Sequence, residues 1–331
     1  HVQDIENASE YEKVLKVEKK RLATDLSGLA LQVPNKKFLY IFQPRLFFYN
    51  ATHNPKKEQK REAKGKSSYN KFNGWIREKL AEAPVVFDST LLISSEEKMT
   101  NYLINQGYFN ADVSSEFKLH KKKAEVFYKA FPAKRYSFNE TFFEIEDPDI
   151  DKVVKANMAK SFIKKGDPYT TDALKLEQER IALALNNNGF FSFTKNNILE
   201  VDTSGDQTAK NVYLQIKNDK DDLVRKQYKV GEVTFNINYS NTSLKRNEFN
   251  EDTLRRLYIY YSPRDIRPDI IAQSIFYKPD STFQKDDYQK TISRLTELGV
   301  FRFVNIKYKP LLVSQTEGYI DTEITAELRK R

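Results

Sequence analysis

Asp147, Asp149 and Asp151 alternate with Pro148 and Ile150. Carboxylates at that spacing could ligate calcium through oxygen. A calcium loop also needs a Gly at its sharp turn and a closing bidentate Glu, and neither is in place. The same residues suit a helix start, where acidic side chains meet the positive end of the dipole. The other chemically able residues are sparse. His1, His53 and His120 lie far apart and form no ligand-spaced pair. The absence of Cys excludes thiol catalysis, Cys-ligated zinc and a disulfide framework. No Gly-rich phosphate loop, H-E-x-x-H or G-x-S-x-G occurs. The sequence therefore predicts no enzyme, no catalytic or metal-ligating residue and no cofactor.

What the chain does carry is rings and charge. It has 19 Tyr and 23 Phe in 331 residues, which suits small domains whose cores gain most from large side chains. That length allows two or three domains, and only 10 Gly and 11 Pro leave little for long linkers. The net charge of +9 favours acidic partners, an acidic membrane face or nucleic acid. Six basic and two acidic residues between Lys56 and Lys66 supply much of it. That stretch reads as a solvated loop, with a phosphate-facing patch as the alternative. Elsewhere basic and acidic residues mix and no RNP or zinc signature appears, so nucleic acid is not the expected partner. Phe38, Tyr40, Phe42, Phe47, Phe48 and Tyr49 form a dense aromatic strip. It either packs on a sheet or serves as a docking strip for a partner or a peripheral membrane contact. No apolar run reaches the roughly 18 residues of a spanning helix, and no leader with a charged start and apolar core is present.

These side chains must be positioned by a repeated element. Three times the chain reads Leu-x-x-x-Gly, an apolar residue, then Phe: Leu103 with Gly107 and Phe109, Leu185 with Gly189 and Phe191, Leu295 with Gly299 and Phe301. A Gly there fits a helix stop in the left-handed conformation, and three copies point to one supersecondary unit used three times. In the third unit, residues 228–239 alternate as a strand, 250–259 open as a helix, and Pro263 and Pro268 break it. A helix over 286–298 and strands over 301–306 and 319–328 complete it. The second unit places a strand at 136–145, helices at 150–162 and 171–187, and strands at 191–201 and 211–216. The first has a short strand at 2–5, a helix at 11–31, a departure over about 34–89, a helix at 95–105 and strands at 109–117 and 124–130. The fold class is thus α+β, with three tandem β-α-α-β-β units.

Gly166-Asp167-Pro168-Tyr169 before a helix and Leu185 to Phe191 after it, with Leu295 to Ile306, resemble the POTRA domain. Such domains form the periplasmic arm of the BamA/TamA superfamily of outer-membrane assembly proteins. Residues 34–39, 45–50 and 107–111 are similar to the N-terminal part of TamL, the TamA-like lipoproteins of Bacteroidota. The resemblance implies three POTRA-like domains: 1–131 with an insertion over about 34–89, 132–219, and 225–330. The third unit departs from the pattern with Lys278-Pro-Asp-Ser-Thr-Phe283, and the first lacks the Gly-Asp motif. The lipobox Cys of such a lipoprotein and the C-terminal β-barrel are absent, so the expectation is a soluble fragment ending where the barrel would begin.

The resemblance further implies a non-enzymatic scaffold on the periplasmic side of the bacterial outer membrane. It would bind client or accessory polypeptides by strand addition at the edge strand after each Gly. The candidate edge residues are Phe109, Asn110, Val113 and Phe117, then Phe191, Phe193 and Val201, then Phe301, Phe303, Asn305 and Tyr308, placed by Gly107, Gly189 and Gly299. The plain alternative is that these edges only terminate sheets or pack on neighbouring repeats. A stand-alone periplasmic interaction scaffold and, behind it, a basic nucleic-acid-binding protein are the rival functions.

Overall fold

The structure, a computed structural model, describes residues 16–35, 43–68, 70–121, 123–202, 208–216, 225–237, 245–249, 257–261, 267–312 and 317–329. The chain is α+β and divides into two compact units, His1–Arg135 and Tyr136–Arg331. The strand expected at 2–5, and Phe38, Tyr40 and Phe42 of the aromatic strip, lie outside the described residues.

In the first unit a helix over residues 16–27 (α1) packs on α5 (Thr90–Asn105) and the hairpin β1 (Asp112–His120) and β2 (Lys123–Phe131). Leu22 and Leu26 of α1 meet Met99 and Leu103 of α5, closed by Tyr108 and Val113. Polar groups fix the same joint. Tyr102 donates from its hydroxyl to Asp25 at 2.7 Å, and Tyr108 to Glu18 at 2.7 Å. Arg135 donates to Glu18 at 2.9 Å and to the Gln106 carbonyl at 2.9 Å, with its guanidinium 5.2 Å over the Tyr108 ring.

Between α1 and α5 lie three short helices, α2 (Pro44–Thr52), α3 (Pro55–Glu62) and α4 (Lys71–Lys79). The expected loop over Lys56–Lys66 is therefore helical as far as Glu62. The reason is in the sequence: Asn54 caps α3 by accepting from the Lys57 amide at 3.1 Å, Pro55 sits at the first helical position, and Glu58 precedes Lys60 and Arg61 along the dipole.

The second unit holds two sheets. The first joins β3 (Ser137–Ile145), β4 (Ile198–Asp202) and β5 (Ala209–Ile216) in the order β3-β5-β4, with β3 parallel and β4 antiparallel to β5. A parallel pair needs a long crossover, supplied by α6 (Pro148–Ala156) and α7 (Thr171–Asn186). Asp147 caps α6, accepting from the amides of Asp149 and Ile150 at 2.9 and 3.2 Å. The loop between the helices is held by the wholly buried Glu177, which accepts from the Phe162 amide at 2.9 Å and pairs doubly with Arg180 at 2.6 and 2.9 Å. Arg180 also reaches the Asn157 carbonyl at 2.9 Å.

The second sheet has five strands in the order β7-β8-β6-β10-β9: β6 (Gln227–Ile237), β7 (Lys245–Phe249), β8 (Leu257–Tyr261), β9 (Phe301–Leu312) and β10 (Glu317–Leu328). As in the smaller sheet, the last strand lies between a parallel first strand and an antiparallel one. Helices α8 (Pro268–Ser274) and α9 (Asp286–Glu297) cover it. Of the expected helix over 250–259, residues 250–256 lie outside the described residues, and the remainder is corrected: Leu257–Tyr261 is a strand parallel to β6. Its Leu-Tyr-Ile-Tyr-Tyr run has the aromatic and β-branched make-up of a pleated, half-buried surface. Pro268 does not break a helix either; it starts one, where its missing N–H costs nothing.

Candidate functional site

The three Leu-x-x-x-Gly segments each end a helix at a Gly in the left-handed conformation, and the first shows both bonds of a Schellman stop while the other two show one each. Gly107, Gly189 and Gly299 have φ of 91°, 91° and 71°. The Tyr108 amide donates to the Leu103 carbonyl at 3.0 Å, and the Phe190 amide to the Leu185 carbonyl at 3.1 Å. The Gly107 amide donates to Ile104 at 2.9 Å and the Gly299 amide to Thr296 at 3.0 Å. Bonds from the two residues after a helix back into its last turn are those of a Schellman stop. The carbonyls of Leu103 and Leu185 accept the closing bond, and the side chains of Leu103, Leu185 and Leu295 are all fully buried.

The chain leaves each stop in a different way. Phe109 and Asn110 lie in a turn, and β1 begins at Asp112. Val113 is buried in the core while Phe117 stays exposed further out, its ring 4.9 Å from that of Phe87. After Gly189 the expected strand from Phe191 does not form. Only Ile198–Asp202 is strand, so Val201 lies on the edge strand β4 while Phe191 and Phe193 precede it. Asn186 is the cause: its side-chain amide donates to the carbonyls of Phe190 and Phe193, both at 2.8 Å, and wraps this segment back onto α7. Only after Gly299 does a strand start at once. Its Phe301 is buried, Asn305 is half-buried, and Phe303 stands 60% exposed. Tyr308 turns inward, its hydroxyl 2.5 Å from that of Tyr277.

Phe191 has a different task. Its ring meets Tyr228, Phe283 and Tyr308 edge-on, with centroids at 6.0, 5.1 and 5.6 Å. These belong to the larger sheet and its helix cover, so Phe191 plugs one sheet's repeat into the next. Around it the Tyr228 amide donates to the Gly189 carbonyl at 2.8 Å, and the Asp286 amide to the Asn187 side chain at 3.0 Å. Lys285 reaches Asn186 at 3.2 Å. The one visible signal for this joint in the sequence is the run Asn186-Asn187-Asn188, three short amides ahead of a Gly.

The pKa of Tyr308 is pushed up to about 12 by burial in this joint. That of Tyr277 is raised as well, by burial first and then by its bond to Tyr308. Burial, with the bond to Glu18, raises Tyr108 to about 12.

Phe47, Phe48 and Tyr49 of the aromatic strip sit on α2. Phe47 is exposed and edge-on to Phe48 at 5.9 Å. Tyr49 lies between His53, stacked at 5.3 Å, and the Arg77 guanidinium at 4.9 Å. Among the described residues no group of three or more His, Asp or Glu is placed to hold a metal ion, and no helix is long and apolar enough to cross a membrane.

No protein-family model matches the chain, and no curated protein matches it. Among solved structures it is similar to POTRA domains 3–5 of BamA from Haemophilus influenzae, at 12% identity over 76% of this chain and 90% of that one, with a TM-score of 0.39. It is also similar to the N-terminal domain of Omp85 from Thermosynechococcus elongatus, at 14% identity over 78% of this chain and 92% of that one, TM-score 0.25. A third is POTRA domains 1–3 of the periplasmic domain of Omp85 from Anabaena, at 13% identity over 76% and 85%, TM-score 0.24.

Proposed function

We propose that this chain is a POTRA-type arm of an outer-membrane assembly or translocation machine, of the TamL kind, standing on the periplasmic side of the membrane. It works without catalysis, holding client or accessory polypeptides by adding their strands to its own sheet. Support for the family reading lies in the sheet order shared by the β3-β5-β4 and β6-β10-β9 sets, each with two covering helices, and in the Gly stops.

The observation that carries the binding mode is β9. Among the described residues this 12-residue strand pairs only with β10, which leaves its other side without a strand partner. A row of outward amides and carbonyls there can take an extended segment with little demand on its sequence. The corresponding edge β4 is only five residues long. Lys307 and Lys309 flank the middle of β9 with charge that discourages self-pairing.

The test is proline substitution at Asn305 and, separately, at Ile306. In an antiparallel pair consecutive amides point to opposite sides, so one variant loses a bond to β10 and the other only the outer one. Capture of an unfolded barrel-strand peptide should fall in the variant that keeps its melting temperature. Unchanged capture in that variant would falsify strand addition at β9.

A further inference from the structure

The insertion between α1 and α5 is built unlike the rest of the molecule. No residue of α2, α3 or α4 is buried, so the three helices have no core of their own. They are held by polar contacts. Arg77 of α4 reaches Glu58 at 2.8 Å and the Thr52 hydroxyl at 3.3 Å and covers Tyr49. At the root, the buried Asn35 donates to Glu82 at 2.9 Å and to the Ala83 carbonyl at 2.7 Å, accepts from the Val85 amide at 3.0 Å, and takes Gln43 on its own carbonyl at 3.0 Å.

Two aromatic side chains of α4 stand outside these contacts. On α4, Arg77 marks the inner side. Phe72, Trp75 and Lys79 fall on the opposite side at 3.6 residues per turn, and Phe72 is 68% and Trp75 53% exposed. The segment that carries them is strongly basic. Residues 44–80 hold ten Lys and Arg against three Glu, a balance of +7 in a chain of +9. Lys56, Lys57, Lys60, Lys64, Lys66 and Lys71 make no ion pair with any described residue.

We propose that this helical insertion binds the surface of an anionic phospholipid bilayer, with Phe72 and Trp75 entering the headgroup boundary and the free lysines meeting the phosphates. Exposed aromatic side chains on a short helix, in a segment rich in cations, suit a soft interface that closes around them. Lysines near such a surface are drawn to it by its negative potential. Nucleic acid would satisfy the cations, but a duplex gives Phe72 and Trp75 nothing to enter. The inference is independent of strand addition at β9, which lies in the other compact unit.

Trp75 is the chain's one Trp, so its fluorescence reports this site directly. The full chain is mixed with phosphatidylglycerol vesicles, with phosphatidylcholine vesicles and with duplex RNA. The expected result is flotation with the anionic vesicles, a blue-shifted Trp75 emission, and quenching by bromine-labelled acyl chains. Raised salt should weaken the binding, and the paired variant Lys60→Glu with Lys64→Glu should lower it at least about tenfold. Phe72→Ser, at an exposed position, should weaken it without changing the melting temperature. Absence of flotation overturns the proposal. So does flotation with Trp75 unquenched, which leaves only headgroup attraction, and so does a Trp75 shift with RNA but none with vesicles.

Discussion

The amide of Tyr228 donates to the carbonyl of Gly189 across 2.8 Å. This bond ties the start of β6 to the helix stop of the preceding repeat. A residue that ends one helix thereby sets where the next sheet begins. Phe191, two residues on, fills the same joint with its ring against Tyr228, Phe283 and Tyr308. The two repeats of the second unit share an aromatic cluster, and their coupling rests on a few identifiable contacts.

Phe191→Ala should loosen that coupling more than it harms either sheet. Phe-to-Ala changes in full cores cost about 3–5 kcal/mol; Phe191 is only half-buried, so a loss of about 2 kcal/mol is expected. The informative measurement is urea unfolding followed by two probes, one in each sheet. Wild type should show coincident transitions across the joint and the variant separated ones. Coincident transitions in both would mean that Phe191 does not couple the repeats.

Gly189 and Gly299 share a positive φ but not their surroundings. A Cβ on Gly299 meets nothing within 4 Å, whereas one on Gly189 stands 3.1 Å from the Tyr228 carbonyl oxygen and 3.2 Å from the Thr282 methyl. Ala at Gly299 should therefore cost about 1–2 kcal/mol for the left-handed backbone alone. Ala at Gly189 adds an overpacking cost of about 1–3 kcal/mol. Chemical denaturation of the two single variants checks the order. Equal losses would mean that Tyr228 shifts freely and that the joint is loose.

The parts legible in the sequence were those with a local physical cause. Thr170 before a run of helix formers places α7 within a residue of its expected span, because a cap and periodicity act within one element. Gly stops and alternating strands are local in the same way. The joint was not legible, because the fate of Phe191 depends on Asn186 turning its amide onto the backbone beyond it and on Tyr228, 37 residues later, offering a surface. The same holds for β8. Leu257, Tyr258 and Ile259 read in the sequence as the end of a helix, and the parallel neighbour that makes them strand, β6, lies some twenty residues earlier in the chain. The helix α3 carries a local signal in its Asn54-Pro55 cap, which the run of charge beyond it obscures.

Alkaline pH should unfold both units by the same means. Tyr108 and Tyr308 have folded pKa values raised to about 12, chiefly by burial, against about 10 in an unfolded chain. Above pH ~10 the unfolded state releases phenolic protons that the folded state keeps, so the unfolded state binds fewer protons and stability falls as pH rises. The contribution is whole below pH ~10 and is lost on the way to pH ~12. Melting temperatures across that range, with phenolate absorbance as the titration signal, check it. Tyr308→Phe should flatten the fall in the second unit and leave that of the first. A fall of the same steepness in the variant would assign it to other groups.

Asp147 separates a cap from a calcium ligand. Its carboxylate accepts from the amides of Asp149 and Ile150, which occupies it with the backbone of α6. Asn can accept the same bonds and Ala cannot, so Asp147→Asn should be nearly neutral while Asp147→Ala costs about 1 kcal/mol. A calcium site would behave in the opposite way. Loss of one charged ligand to Asn would abolish metal-linked stabilisation, and wild type would gain stability with added calcium in proportion to the logarithm of its concentration. Thermal melts of the three proteins with calcium and with chelator distinguish the two. Superimposable curves for wild type in both buffers, with the Ala variant alone displaced, are the expected result. A calcium-dependent shift that is lost in Asp147→Asn would return these carboxylates to metal chemistry.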